Sequence, residues 1–361
     1  MRQVAIPRIA QIVGGGISGA STAASLARFG WRVRISAAPA RARHPIALNG
    51  PARFILERIW GPDLLAGLPH HRLARRVIIW DRTARQIEDA TIVVDAPALA
   101  QRMATQAAAT GVSLDETFHV EPASWTVIAT GRGAAGGEIL SGGTRVAVTA
   151  PVALAATADS DALLIEAGPK GWVACVPTNS TDGVLFASAP ATTATPEEAF
   201  DGLVAGTRAV RQAIAAVTGP CAVLEAAPRL RYPPHNGATT VFVGDAAIAF
   251  DPVSGDGAGV ALRTAHLAAS LAEAFVRGTK LEALHSFYSY RLTRAMSVHI
   301  HGLLSLYAEP AFDLSWSSEL AAMRCMGESI QAMPNPEKVP SFMISEAGLG
   351  SFSNQLRVGR P

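Results

Sequence analysis

Ile9-Ala-Gln-Ile-Val-Gly14-Gly-Gly16-Ile17-Ser18-Gly19 is the stretch on which the fold turns. Residues 9–14 have the apolar content of a short buried strand, 17–29 form an Ala-rich helical segment, and 32–36 (Arg-Val-Arg-Ile-Ser) resemble a second strand. A GxGxxG run between a strand and a helix is a dinucleotide-binding turn. Gly14 permits the tight turn, Gly16 lets backbone N–H groups approach a pyrophosphate, and Gly19 lets the helix lie close to the strand. Ile17 and Ser18 open that helix, whose N-terminus carries partial positive charge. One element of the pattern is missing. The acid expected some twenty residues on, which would bind ribose hydroxyls, is replaced by Ala37, with Ser36 beside it as a partial substitute.

Working outward, the 361 residues are 49% hydrophobic and 17% charged, enough for one large domain or two joined ones. The net charge is +2, and the densest basic spot, around Arg72, Arg75 and Arg76, is too short for a nucleic-acid surface. Lys170, Lys280 and Lys338 are the only lysines. Cys175, Cys221 and Cys325 are far apart and lack metal-ligand spacing, so isolated reduced thiols and no metal site are expected. The N-terminus lacks a signal-peptide pattern, and no apolar run reaches the ~18 residues that span a bilayer. The expectation is a cytoplasmic protein without a transmembrane segment.

Further along, a helix is expected over 51–60, strands at 76–80 and 91–94, a helix over about 97–109, and the strand Trp125–Thr130 running into Gly131. Between about 143 and 190 the pattern changes to short β-rich runs at 144–149, 151–156, 162–166, 171–176 and 184–188, an antiparallel sheet inserted into the first unit. A helix near 196–217, the strand Thr239–Val243, a long helix over about 258–276, and helices at 281–306 and 317–331 follow, before a Pro-containing tail.

The second decisive stretch is Val241-Phe-Val-Gly244-Asp245, followed by Pro252-Val-Ser-Gly255-Asp-Gly257-Ala258-Gly259. A strand ends in Gly-Asp, a Pro-containing loop follows, and a glycine-rich turn opens a helix. With the first motif, this resembles the FAD-dependent superfamily of aromatic-ring hydroxylases, flavin halogenases and geranylgeranyl-reductase-like enzymes. The resemblance is strong over about 9–37 and 240–275. It implies an α/β fold: a Rossmann-like FAD-binding domain (1–142 and 221–280), an inserted antiparallel β-sheet substrate domain (143–220), and C-terminal helices (281–361). It also implies that Asp245 binds the ribityl chain of FAD and that the backbone over Gly255–Gly259 faces the isoalloxazine ring, where a helix dipole stabilises the reduced, anionic flavin. Residues 94–111 resemble the family's strand-to-helix segment with Ala96 in place of its usual Arg, and Trp125–Gly131 resembles its returning strand.

Trp172-Val-Ala-Cys-Val-Pro177 stands where flavin halogenases carry W-x-W-x-I-P, but Ala174 replaces the second Trp. Those enzymes also need a lysine in the N-terminal part, and this chain has none before Lys170. Halogenation is therefore disfavoured. Tyr307-Ala-Glu309 with Phe312 and Trp316 loosely resembles flavoproteins that modify tryptophan in quinone-cofactor biogenesis, whose substrate is a side chain within a partner protein. The resemblance implies hydroxylation of an aromatic, free or in a substrate protein, by a flavin C4a-hydroperoxide. An isoprenoid-alkene reductase and a non-enzymatic flavin-binding assembly factor are the alternatives. The aspartate of the family's mid-chain Asp-Gly motif is absent, which favours a separate flavin reductase over direct NAD(P)H use. Arg231 and Trp172 are the candidate substrate contacts; no catalytic residue is assigned. His299 and His301 lie in a helical pattern and read as structural.

The missing acid has a measurable consequence. A charge-assisted hydrogen bond contributes about 1.5–3 kcal/mol, a factor of about 10–100 in affinity. FAD is expected to be held loosely, and Ala37→Glu to tighten it by that factor in a fluorescence titration. A wild type that already binds tightly and is unchanged by the substitution would contradict this.

Overall fold

The computed structural model describes residues 6–36, 45–80, 83–115, 123–308, 312–334, 342–345 and 348–351. β1 (Ile9–Val13) leads through the glycine turn into α1 (Ile17–Arg28), which buries an unbroken run from Ser18 to Leu26. That burial is possible because most of the run is Gly, Ala or Ser. β2 (Arg32–Ser36), β3 (Ile46–Leu48) and α2 (Gly50–Trp60) follow, the helix capped by the Asn49 side chain and started by Pro51. β4 (His70–Trp80) and β5 (Thr83–Val94) form a long antiparallel pair. α3 (Ala96–Ala109) is capped by Asp95, and β6 (Ser113–Asp115) and β7 (Trp125–Ile128) come next.

The middle of the chain supplies β8 (Glu138–Ser141), β9 (Val146–Leu154), β10 (Ala162–Gly168), β11 (Gly171–Pro177) and β12 (Asp182–Ala189). Then come α4 (Pro196–Ala205), α5 (Ala209–Ala213), β13 (Ile214–Val217), β14 (Ala222–Glu225), β15 (Arg229–Tyr232), β16 (Thr240–Phe242) and β17 (Ile248–Ala249). Three helices follow: α6 (Gly257–Val276), α7 (Leu281–Tyr307) and α8 (Ser317–Gln331). A hairpin of β18 (Phe342–Ser345) and β19 (Gly348–Ser351) comes last.

The α/β class expected from the sequence is what the chain adopts. A parallel five-stranded sheet runs β16-β7-β1-β2-β6. A larger, mostly antiparallel sheet runs β13-β9-β12-β11-β10-β4-β5-β3, with β14 also on β9. Two local expectations change. The runs at 144–149 and 151–156 are one strand through Pro151, whose carbonyl accepts from the Thr218 N–H. The Ala-rich segment 196–217 is not one helix: α4, started by a Thr195/Glu198 capping box, stops at Gly206, and Ile214–Val217 pairs with β9 instead. The boundaries expected at 142/143 and 220/221 do not coincide with the sheets. The large sheet draws β3, β4 and β5 from the first segment, and β4 lies parallel to β10.

One continuous apolar core joins the two sheets. It runs from Ala10, Ile12 and Val127 of the parallel sheet, through Val260 and Leu271 of α6, to Leu163, Ile165, Trp172 and Ala174 of the large sheet and Tyr307, Trp316 and Met323 of the C-terminal helices. A second core, including Val173, Cys175, Leu185, Phe200 and Leu203, lies between the sheet's other face and α4. Alternation along β11 divides the two cores: Trp172 and Ala174 point one way, Val173 and Cys175 the other.

Candidate functional site

The two glycine turns meet. Gly14 has φ +109°, and a Cβ there would lie 2.3 Å from the Ala129 carbonyl oxygen; one on Gly19 would lie 1.9 Å from the Gly14 carbonyl oxygen. These two positions let the turn close on β7. Gly16 differs, since a Cβ there would point into open space. Gly16 is also the N-cap of α1 and offers no side chain to its free N–H groups. Gly244, with φ +58°, backs directly onto α1: its Cβ would lie 2.6 Å from Ser18 Oγ. Its N–H donates to Thr264 Oγ1 at 2.9 Å. The second motif is thereby pressed against the helix of the first.

The residues present fit a dinucleotide. The uncapped start of α1 can receive phosphate oxygens, with Ile17 and Ser18 in its first turn. Ser36, at the end of β2, is buried, and its Oγ has no hydrogen-bond partner among the described residues. Its carbonyl accepts the Gly14 N–H at 2.8 Å. A buried hydroxyl left unpaired beside the glycine turn suits a ribose hydroxyl. Ala37 lies outside the described residues.

Asp245 follows Gly244 directly and is exposed. Its side chain is 46% accessible, and Arg132 Nε lies 3.8 Å from its Oδ2. Desolvation by the surrounding protein raises its pKa, against the opposing pull of Arg132 and Arg229. Arg132 follows Gly131, which has φ +68°, and donates to the Ala227 carbonyl at 2.8 Å. Sequence reading missed Arg132, because its place beside Asp245 depends on β7 lying next to β16 in the sheet.

The loop from Pro252 to Gly259 begins on a buried ionic network. Asp251 is fully buried and receives Arg145 Nε and Nη2 at 3.1 and 2.9 Å. Arg145, also fully buried, donates through Nη1 to Glu319 Oε2 at 2.6 Å. Tyr307 Oη donates to Asp251 Oδ1 at 3.1 Å and accepts from Trp172 Nε1 at 2.9 Å. Burial pushes the Tyr307 hydroxyl well up, as does the Asp251 carboxylate. Trp172 is therefore enclosed, 1% exposed, rather than open to a substrate. Arg231 is enclosed too, bonded to the Ala246 and Ala134 carbonyls and lying 4.2 Å from the Phe242 ring centre. Within this loop, Gly255 has φ +62°, Gly257 is open like Gly16, Ala258 packs half-buried on the core, and Gly259 fits tightly against Asp256. Glu309 lies outside the described residues, while Tyr307, Phe312 and Trp316 pack together.

His299 anchors the same loop. Asp251 N–H donates to its Nε2 at 2.8 Å, and its ring stacks on Phe250 at 4.1 Å. Desolvation, then Arg145, pull its pKa down from 6.5 to about 4, with Asp256 opposing. His235, stacked on His285 at 3.7 Å, is likewise held near 4. Because the folded values lie below the unfolded one, the unfolded chain takes up protons that these rings refuse. Stability should therefore fall as pH drops from about 6.5 to about 4. Urea midpoints across that window check this. His299→Gln, which keeps an acceptor and does not titrate, should flatten the slope; an unchanged slope would contradict the assignment.

The face of the large sheet turned toward this loop is apolar and partly open. Ile78, Ile165, Ala174 and Phe186 form one cross-strand row, and half-buried Ile78, Val176 and Phe186 share the core with Phe250 and with Val253 of the loop. A separate cleft of about 540 Å³, lined by Tyr232, His235, His285, Tyr290 and Arg294 among others, contains no residue of either glycine motif. Among the described residues no cluster of three or more His, Cys, Asp or Glu could hold a metal ion, and no helix is long and apolar enough to cross a membrane.

No family model and no curated protein sequence matches the chain. Solved structures do. The peptidyl tryptophan dihydroxylase QhpG, essential for tryptophylquinone cofactor biogenesis, superposes with a TM-score of 0.71 at 18% identity, covering 96% of this chain and 86% of that one. The flavin-dependent halogenase CmlS gives 0.76 at 15% identity over 88% and 68%. 2-Methyl-3-hydroxypyridine-5-carboxylic acid oxygenase gives 0.63 at 18% identity over 91% and 94%. The chain has the fold of these flavin-dependent halogenases and oxygenases.

Proposed function

We propose that the protein is an FAD-dependent monooxygenase that hydroxylates an aromatic ring with O2, the ring being a tryptophan side chain carried by a partner protein. The observation that carries the reading is the contact of Gly244 with Ser18, which joins the two glycine motifs, with Val253 of the second sharing a core with the apolar face of the large sheet. Bound FAD would supply the reductive activation of O2. The chain's own residues do the rest. The open start of α1 and the Ser36 hydroxyl hold phosphate and ribose, and Asp245, with Arg132 behind it, holds the ribityl hydroxyls. Ile78, Val176, Phe186 and Val253 exclude water from the reacting edge. The tryptophan substrate is supported by the likeness in fold to QhpG over 96% of this chain and 86% of that one. The absent mid-chain aspartate favours a separate flavin reductase over NAD(P)H bound by this chain. The free thiols Cys175, Cys221 and Cys325 suit a reducing, cytoplasmic setting.

The test is to load the protein with FAD, reduce it without air, and mix it with O2 in the presence of tryptophan-containing protein or peptide. Hydroxylation predicts a transient absorbance near the ultraviolet–visible boundary and 18O from O2 in the tryptophan. Oxidation of the reduced protein by an isoprenoid-type alkene, with no such transient, would favour the reductase. FAD that binds but is neither reduced nor consumed in any cycle would leave the assembly factor.

A further inference from the structure

One basic side chain from the large sheet reaches the loop that opens α6. Arg76 lies on β4, on the same face as Ile78 and Trp80, with Leu163 beside it on β10 and Ile87 on β5. A Cβ built on Gly255 would lie 3.4 Å from its Nη2, 3.8 Å from Nη1 and 3.9 Å from Cζ. Both Nη atoms are nearer to that position than Cζ is, so the Nη edge of the guanidinium faces Gly255. The pair is held from behind: Nη2 donates to Asp89 Oδ2 at 2.9 Å, and Asp89 Oδ1 accepts from Thr91 Oγ1 at 2.9 Å. Arg76 Nε is buried without a partner, and Nη1 carries no hydrogen bond among the described residues. The first turn of α6 begins at the same point, with no side-chain cap from Asp256. The Asp256 carboxylate is turned to Arg263 and Asn49. A fixed cation with unused donors and a helix N-terminus thus converge on one place.

We propose that Arg76 is the cation that stabilises negative charge on the reduced flavin. The assignment rests on the FAD reading above and adds a residue from the sheet to it. An oxidised, neutral ring gains little from Arg76. A two-electron-reduced ring that has lost its N1 proton gains a charge–charge attraction, so Arg76 raises the affinity for reduced over oxidised FAD. Asp89 tempers that charge.

The experiment measures the midpoint potential of bound FAD against a reference dye, alongside the dissociation constant of oxidised FAD. In Arg76→Met the oxidised cofactor should bind within about twofold of wild type. The reduced-to-oxidised affinity ratio should fall about tenfold, equivalent to about 30 mV downward in a two-electron couple. Arg76→Lys should keep most of the wild-type potential. Asp89→Asn leaves the guanidinium uncompensated and should move the potential upward. Opposite signs for Arg76→Met and Asp89→Asn are the signature, since loss of a merely structural ion pair moves both the same way. Potentials unmoved, or moved together, with FAD bound normally overturn the assignment alone. A wild type that binds no FAD overturns the cofactor reading and this assignment with it.

Discussion

Arg145→Met is expected to lower the unfolding free energy by about 3–5 kcal/mol, the usual cost of removing one partner from a buried ion pair. Arg145 and Asp251 are fully buried and Glu319 is nearly so, and the guanidinium is the shared partner of both carboxylates. Without it, Asp251 keeps Tyr307 Oη and the Val253 N–H, and Glu319 keeps Thr144, but two negative charges remain inside without a cation. Burial already raises the Asp251 pKa, and Arg145 is what opposes this most. The variant's carboxyl will therefore hold its proton to higher pH. Because its folded pKa lies above the unfolded 3.8, the penalty should grow as pH rises and shrink toward pH 4. Urea denaturation of wild type and variant at pH 5 and pH 8 checks both points. A loss under about 1 kcal/mol, or an equal loss at the two pH values, would contradict the account. Adding Asp251→Asn and Glu319→Gln should restore most of the stability, since the uncompensated charges are then gone.

Gly19→Ala and Gly16→Ala should separate fold from ligand. The Gly19 methyl would stand 1.9 Å from the Gly14 carbonyl oxygen and 3.2 Å from Ala129 Cβ, so backbone must move apart. A loss of at least about 3 kcal/mol is expected, the upper range for overpacking, seen in thermal unfolding with or without FAD. The Gly16 methyl would meet nothing within 4 Å. That variant should fold within about 0.5 kcal/mol of wild type while binding FAD at least tenfold more weakly, because the methyl fills the space that the phosphates need. Equal FAD affinity in Gly16→Ala and wild type would remove Gly16 from the cradle.

Elements with strong local periodicity were legible in the sequence. The strand-turn-helix at 9–28 and the long helix from about 258 were readable because glycine and apolar spacing act within a few residues. The break of 196–217 was not. An Ala-rich run reads as helix, and only the available edge of β9 turns Ile214–Val217 into a strand. β4 begins at His70, well before the apolar run at 76–80, because its polar first half is held by pairing with β5. Of the site, the glycines and Asp245 were legible. Arg132, Arg145 and Arg76 were not: each meets partners set by strand order or by contacts far along the chain. Trp172 stands out by its place in the Trp-to-Pro segment and Arg231 by its place just before the Gly-Asp strand, and position along the chain does not tell an enclosed aromatic or guanidinium from an open one.

The contact of Gly244 with Ser18 also governs when the site can exist. The halves lie more than 200 residues apart, so a chain still emerging from the ribosome has no complete cradle until α6 has been made. Synthesis can shape the first βαβ unit early, but that unit must wait, with its α1 face uncovered, until the residues from Gly244 through α6 have been made. A ligand that bridges both turns then acts as a clasp on a chain closure of more than 200 residues, favouring the closed chain by mass action. Limited cofactor during synthesis should accordingly appear first as protease-sensitive, incompletely closed protein, before any loss of turnover by the molecules that did close.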